Sequence, residues 1–94
     1  MSLLNARSSS RDPREIRQYE LELLRLDGRQ VAMALLVRRR EDGTWRGRLQ
    51  FTDADNGEER TTAEIFCGAL EDDLWHSLQG LREHHIRDLY RSLA

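Results

Sequence analysis

The sequence predicts an α+β domain: a four-stranded antiparallel β-meander with one kinked or two consecutive C-terminal helices packed on one face, in the order ββββα or ββββαα. Three observations carry this. Residues 19–67 alternate apolar and polar side chains with the two-residue period of half-buried strands. Asp27-Gly28, Asp42-Gly43 and Asn56-Gly57 cut that stretch at hairpin spacing. From Leu70 the period turns helical, with Leu70, Leu74, Leu78 and Leu81 at i, i+4, i+8 and i+11.

The first strand is read from Tyr19, Leu21 and Leu23 alternating with Glu20 and Glu22. The second carries Val31, Met33, Leu35 and Val37 on one face and Ala32, Ala34, Leu36 and Arg38 on the other. Being apolar on both faces near its middle, it is expected to be central. The third alternates Trp45, Gly47, Leu49 and Phe51 with Arg46, Arg48, Gln50 and Thr52. Thr61 to Cys67 is a β-prone fourth strand.

Facing sets the expected loops. A three-residue loop Leu26–Gly28 pairs Leu23 with Val31, Leu21 with Met33 and Tyr19 with Leu35, which puts every large apolar residue on one face. A three-residue loop Glu41–Gly43 likewise sets Leu35 against Leu49 and Met33 against Phe51. The third turn should be longer or bulged, so that Ala63 and Ile65 face inward. In the helical part, Glu71, Asp72 and Asp73 suit a first turn. Gly80 costs about 1 kcal/mol relative to Ala inside a helix, so a kink or a break is expected there.

The expected core is Tyr19, Leu21, Leu23, Val31, Met33, Leu35, Val37, Trp45, Leu49, Phe51, Ile65, Leu70, Leu74, Leu78, Leu81, Ile86 and Leu89. Sheet face and helical stripe cover each other in two layers. Residues 1–14, rich in Ser and Arg with little to bury, read as a flexible tail, and 15–94 as the single domain.

Composition excludes several classes. Charged residues make up 34% of 94, and no run approaches the roughly 20 apolar residues of a membrane span. The N-terminal stretch lacks the apolar segment of a signal peptide, so a cytoplasmic location is expected. One Cys rules out an internal disulfide framework. A net charge of -2 argues against a globally basic nucleic-acid protein. The charge is uneven, however: residues 1–48 hold eleven Arg against seven acids, and residues 49–94 four Arg against ten. Such a dipole favours association with copies of itself or with a polar partner.

Motifs for chemistry are absent. Asp53-Ala54-Asp55-Asn56-Gly57 has the look of a calcium loop, but position six, which needs Gly, is Glu58. Cys67, His76, His84 and His85 lack the paired spacing of a zinc site. A Cys67–His76 nucleophile pair has no third group to orient the base. No Gly-rich phosphate loop, G-x-S-x-G or H-E-x-x-H occurs. No enzyme, cofactor, metal site or small-molecule substrate is therefore expected.

Two surfaces remain. The outer sheet face gathers Leu36, Arg38, Arg46, Arg48 and Phe66, a mixture suited to a protein contact. Trp75, Tyr90 and Leu93 lie beside the main helical stripe and suit helix-to-helix contact in a homodimer. The expected function is a small, self-associating, non-catalytic protein-interaction module. The alternative is a single-stranded nucleic-acid binder using the same arginine face, with Phe66 for stacking and Arg7, Arg11, Arg14 and Arg17 assisting. The strand-then-helix order resembles that of Whirly-like and PUR-type single-strand binders, in topology and not in any motif.

Overall fold

The computed structural model describes residues 16–93. Five strands are followed by two helices: β1 (Arg17–Leu26), β2 (Arg29–Arg39), β3 (Trp45–Asp53), β4 (Glu59–Thr61), β5 (Phe66–Gly68), α1 (Glu71–Gln79) and α2 (Glu83–Ser92). All pairings are antiparallel, in the order β1-β2-β3, with β4 and β5 sharing the far side of β3. This is the expected α+β class, with the fourth strand split and the helix broken in two. The predicted tail, residues 1–14, lies outside the described residues. No helix among those described is long and apolar enough to cross a membrane.

The first hairpin departs from its expected register. Asp27 (φ 53) and Gly28 (φ 80) both take positive φ, so the turn is a two-residue type I′ whose twist matches the flanking strands. Leu26 then faces Arg29, Leu24 faces Val31 and Leu23 faces Ala32. A bulge between Glu20 and Glu22 inserts one residue, after which Tyr19 meets Leu35 as predicted. Leu24 and Leu26 thus replace Leu23 on the inner face. Leu26 is fully buried, whereas Leu23 is 59% exposed.

The second hairpin is as expected, with Met33 opposite Phe51 and Leu35 opposite Leu49. Gly43 (φ 90) closes it by donating its N–H to the Arg40 carbonyl at 2.9 Å. The Asp42 carboxylate accepts from the Thr44 amide at 2.9 Å and from its hydroxyl at 2.6 Å.

The third turn is longer, as expected, but its consequence is reversed. Asp53 is buried and anchors the loop: its carboxylate accepts from Arg29 Nη1 (2.8 Å) and from the amides of Asp55 (2.8 Å) and Asn56 (3.3 Å). Beyond β4, Gln50 pairs with Thr61 but Gly47 pairs with Phe66. Three steps along β3 thus match five on the other side, so two extra residues loop out. An even insertion keeps the facing, and Thr62 and Phe66 point inward. Thr62 is satisfied there: its hydroxyl accepts from the Leu49 amide (3.0 Å) and donates to the Ala63 carbonyl (2.7 Å). Ala63 and Ile65, expected inside, are exposed.

Leu70, also expected in the core, sits at the start of α1 and is exposed. Its N–H donates to the Asp73 carboxylate at 3.0 Å, so the acidic first turn caps the helix. Gly80 ends α1, and the break lets α2 turn back onto the sheet. Leu74 fills the space above Gly47, while Ile86 and Tyr90 cover the half of the sheet near Phe51. The buried cluster joins Leu26, Val31, Met33, Leu35, Val37, Leu49, Phe51, Phe66, Leu74, Ile86 and Tyr90.

Candidate interaction surfaces

The outer sheet face carries the arginines where the alternation puts them. Arg38 lies directly opposite Arg46, and Leu36 opposite Arg48. Glu64, from the looped-out stretch between β4 and β5, reaches over this group. Arg38 grips it with two bonds, Nε to Oε2 and Nη2 to Oε1, the latter at 3.0 Å. The bonded Arg38 guanidinium holds the Glu64 carboxyl below its ordinary value; Arg48 and Arg46 act in the same direction by charge. Arg46 Nε is buried without a hydrogen-bond partner among the described residues. Leu36 is itself nearly buried.

Phe66 is not on this face. It is 5% exposed on the inner face, opposite Gly47. The parity is the reason: the turn after β3 and the insertion before β5 are both even, so Phe66 keeps the inward facing, whereas an inward Ile65 needed an odd interruption. The other strand aromatics, Tyr19, Trp45 and Phe51, also lie on the inner side. Among the described residues, the arginine face therefore offers no ring for a base to stack on. Arg17 lies 5.9 Å from the Trp45 ring, opposite the inward Val37 and so on the other face from those arginines; Arg7, Arg11 and Arg14 fall outside the described residues.

The proposed helix contacts turn out to pack within the chain. Tyr90 is 4% exposed, edge-on to Phe51 with ring centroids 5.5 Å apart, and the Arg60 guanidinium sits 4.5 Å from its ring. Leu93 packs against the core at the end of α2. Trp75 is half-buried, edge-on to Tyr19 at 5.2 Å, its indole N–H directed at Glu71 (3.4 Å).

Trp75 instead forms the wall of a cleft. Sheet and helices leave an opening of about 670 Å³ between β1 and the two helices, lined by Tyr19, Leu21, Met33, Trp75, Leu78 and Leu81. Gln18, Glu20 and Glu22 edge it on the strand side. The adjoining strand, β1, is ten residues long and terminal in the sheet, paired on one side only among the described residues. Sequence reasoning missed this site. The available signal was the step Leu23-Leu24, where the apolar alternation changes phase within one strand.

Cys67 is exposed on the outer side, opposite Arg46. Among the described residues no group of three or more His, Cys, Asp or Glu could hold a metal ion. No protein-family model matches the chain, and no curated protein or solved structure is similar enough to count as a relative or a structural neighbour.

Proposed function

We propose that this chain is a small, non-catalytic protein-interaction module that takes an extended protein segment along the edge of β1. The observation that carries the reading is the juxtaposition of a ten-residue strand edge with an apolar cleft directly beneath it. An added strand gains main-chain hydrogen bonds from the edge, and every second side chain descends into the cleft, where Trp75, Leu78 and Leu81 select for apolar groups. Glu20 and Glu22 at the rim favour a segment with basic residues at the intervening positions.

The nucleic-acid alternative keeps one supporting observation, three arginines around a single carboxylate. Phosphate contact without stacking would be weak and strongly salt-dependent.

The test is selection from a displayed random-peptide library on the immobilised protein, beside titration with a mixed-sequence single-stranded oligonucleotide. Enriched peptides should alternate apolar and polar residues, and Leu21→Asp should abolish their binding. Failure to enrich any peptide, with oligonucleotide binding that Arg46→Glu plus Arg48→Glu removes, would overturn the reading in favour of the alternative.

A further inference from the structure

The β1 edge has a pattern of its own. In a two-residue hairpin the closing pair, Leu26 and Arg29, exchanges hydrogen bonds, and bonded pairs alternate from there. Met33 and Leu35 therefore turn their backbone groups toward β1, to Glu22 and Tyr19. By the same alternation, the backbone groups of Gln18, Glu20, Leu23 and Arg25 point away from β2, to the open edge. The bulge changes the spacing from two residues to three between Glu20 and Leu23, so these four positions form one evenly spaced row. Leu23 and Glu20 lie opposite Ala32 and Ala34, and Arg25 opposite Gln30, so their side chains share the outer face.

This row is complementary to itself in one antiparallel register. We propose that a second copy of the chain pairs with β1 about a two-fold axis at Leu23. That inference rests on the preceding reading and names its partner. Leu23 then meets Leu23 of the second copy, covering the most exposed leucine of the sheet. On either side, Glu20 faces Arg25 of the other copy; both are exposed, neither is paired with a β2 side chain, and Glu20 accepts from Gln18 Nε2 of its own strand at 3.0 Å. The two neighbouring registers are poorer. An axis between Glu20 and Leu23 sets Glu20 against Leu23, and an axis between Leu23 and Arg25 sets Leu23 against Arg25. In the chosen register the sheet runs continuously through both copies.

Light scattering at rising protein concentration, together with a charge-swap series, decides it. Wild type should reach twice the chain mass. Glu20→Arg or Arg25→Glu alone sets like charges against each other at both flanks and should weaken association about tenfold or more. An equimolar mixture of those two variants should recover the dimer, because each supplies what the other lacks, and the double variant should recover it too. Leu23→Lys should be monomeric. All three substitutions fall at exposed positions, and recovery in the mixture itself reports that the variants fold. A wild-type monomer up to about 1 mM, the weak end of specific binding, would overturn the proposal. So would a dimer indifferent to the charge swaps. In either case, the peptide-selection result still decides separately whether the edge binds other segments.

Discussion

Gly47 lies where Leu74 of α1 packs onto the centre of the sheet, and it allows a quantitative test of the packing. A Cβ placed on Gly47 would lie 3.2 Å from Leu74 Cδ1, 3.5 Å from Leu35 Cδ1 and 3.5 Å from Phe66 Cβ. That is tight enough to force Leu74 to move. Gly47→Ala should therefore cost about 1–2 kcal/mol by overpacking, after a gain of roughly 0.5 kcal/mol from the stiffer unfolded chain. Leu74→Ala, at a fully buried site, should cost about 3 kcal/mol by leaving a cavity. The double variant removes the clashing methyl and part-fills the cavity, so its cost should fall below the sum of the singles by about 1 kcal/mol. Such losses are large against a total of about 5–14 kcal/mol for a chain this size. Urea unfolding followed by the fluorescence of Trp45 and Trp75 would measure all four corners of the cycle. Additivity within about 0.3 kcal/mol would refute the account, because it would mean that the added carbon never met Leu74.

Two further outcomes follow from the capping and charge geometry. A Cβ on Gly68 would lie 2.3 Å from Asp73 Cβ and 2.7 Å from the Asp73 Oδ2 that accepts the Leu70 N–H; Gly68→Ala should therefore cost more than Gly47→Ala, roughly 2 kcal/mol or above, and a urea midpoint equal to wild type would contradict it. The Asp53 carboxyl is held below its ordinary 3.8 chiefly by its bond to Arg29, and Glu64 below its ordinary 4.5 chiefly by Arg38. Groups with depressed folded values add stability above the unfolded values and lose it as pH falls through the folded ones. The urea midpoint should thus decline below about pH 4, and less steeply in Asp53→Asn, whose midpoint at pH 7 should already be lower; parallel pH curves for the two proteins would rule this out.

Much of the architecture was legible because hydrophobic alternation and turn chemistry pointed the same way. The β2–β3 register followed from the requirement that Met33, Leu35, Leu49 and Phe51 share a face, and the break at Gly80 followed from helix propensity. The errors arise at the two places where the ladder is interrupted: a bulge in β1 that was not expected, and an interruption before β5 that was expected but with the opposite parity. The extra residue in β1 let a short type I′ turn and a correct Tyr19–Leu35 pair coexist, a combination excluded when the register is taken as constant. Before β5 the interruption is even, two residues, where an odd one was expected, so Phe66 stays inward and Ile65 outward. Of the candidate site residues, Arg38, Arg46 and Arg48 stand on the outer face as read, because they precede the second insertion. Phe66, Tyr90 and Leu93 are taken up by the core and its margin. Tyr90 in particular was out of reach, because only the position of α2 over Phe51 decides that the ring is covered.

The bulge also bears on how the β1 edge works. Strand edges invite indiscriminate pairing, and a bulge is one of the devices that restrain it. Here the extra residue does so selectively. A regular ladder through all ten residues would turn Leu21 and Tyr19 to the open edge in place of Glu20 and Gln18. The bulge instead places Glu20 and Arg25 equally far from Leu23 along the open edge, which is the symmetry that a two-fold pairing needs. It also keeps Leu21 on the inner side, at the cleft, while Leu24 and Leu26 join the core after the phase change. Deleting Leu21 would restore a regular ladder through Tyr19–Leu35. The sheet and the outward row of Gln18, Glu20, Leu23 and Arg25 should survive, because their partners on β2 are unchanged, while the lining of the cleft is altered. Loss of peptide binding with self-association retained in that single variant, with the urea midpoint changed by much less than in Leu74→Ala, is the expected result. Loss of self-association would contradict the assignment of the pairing to that row.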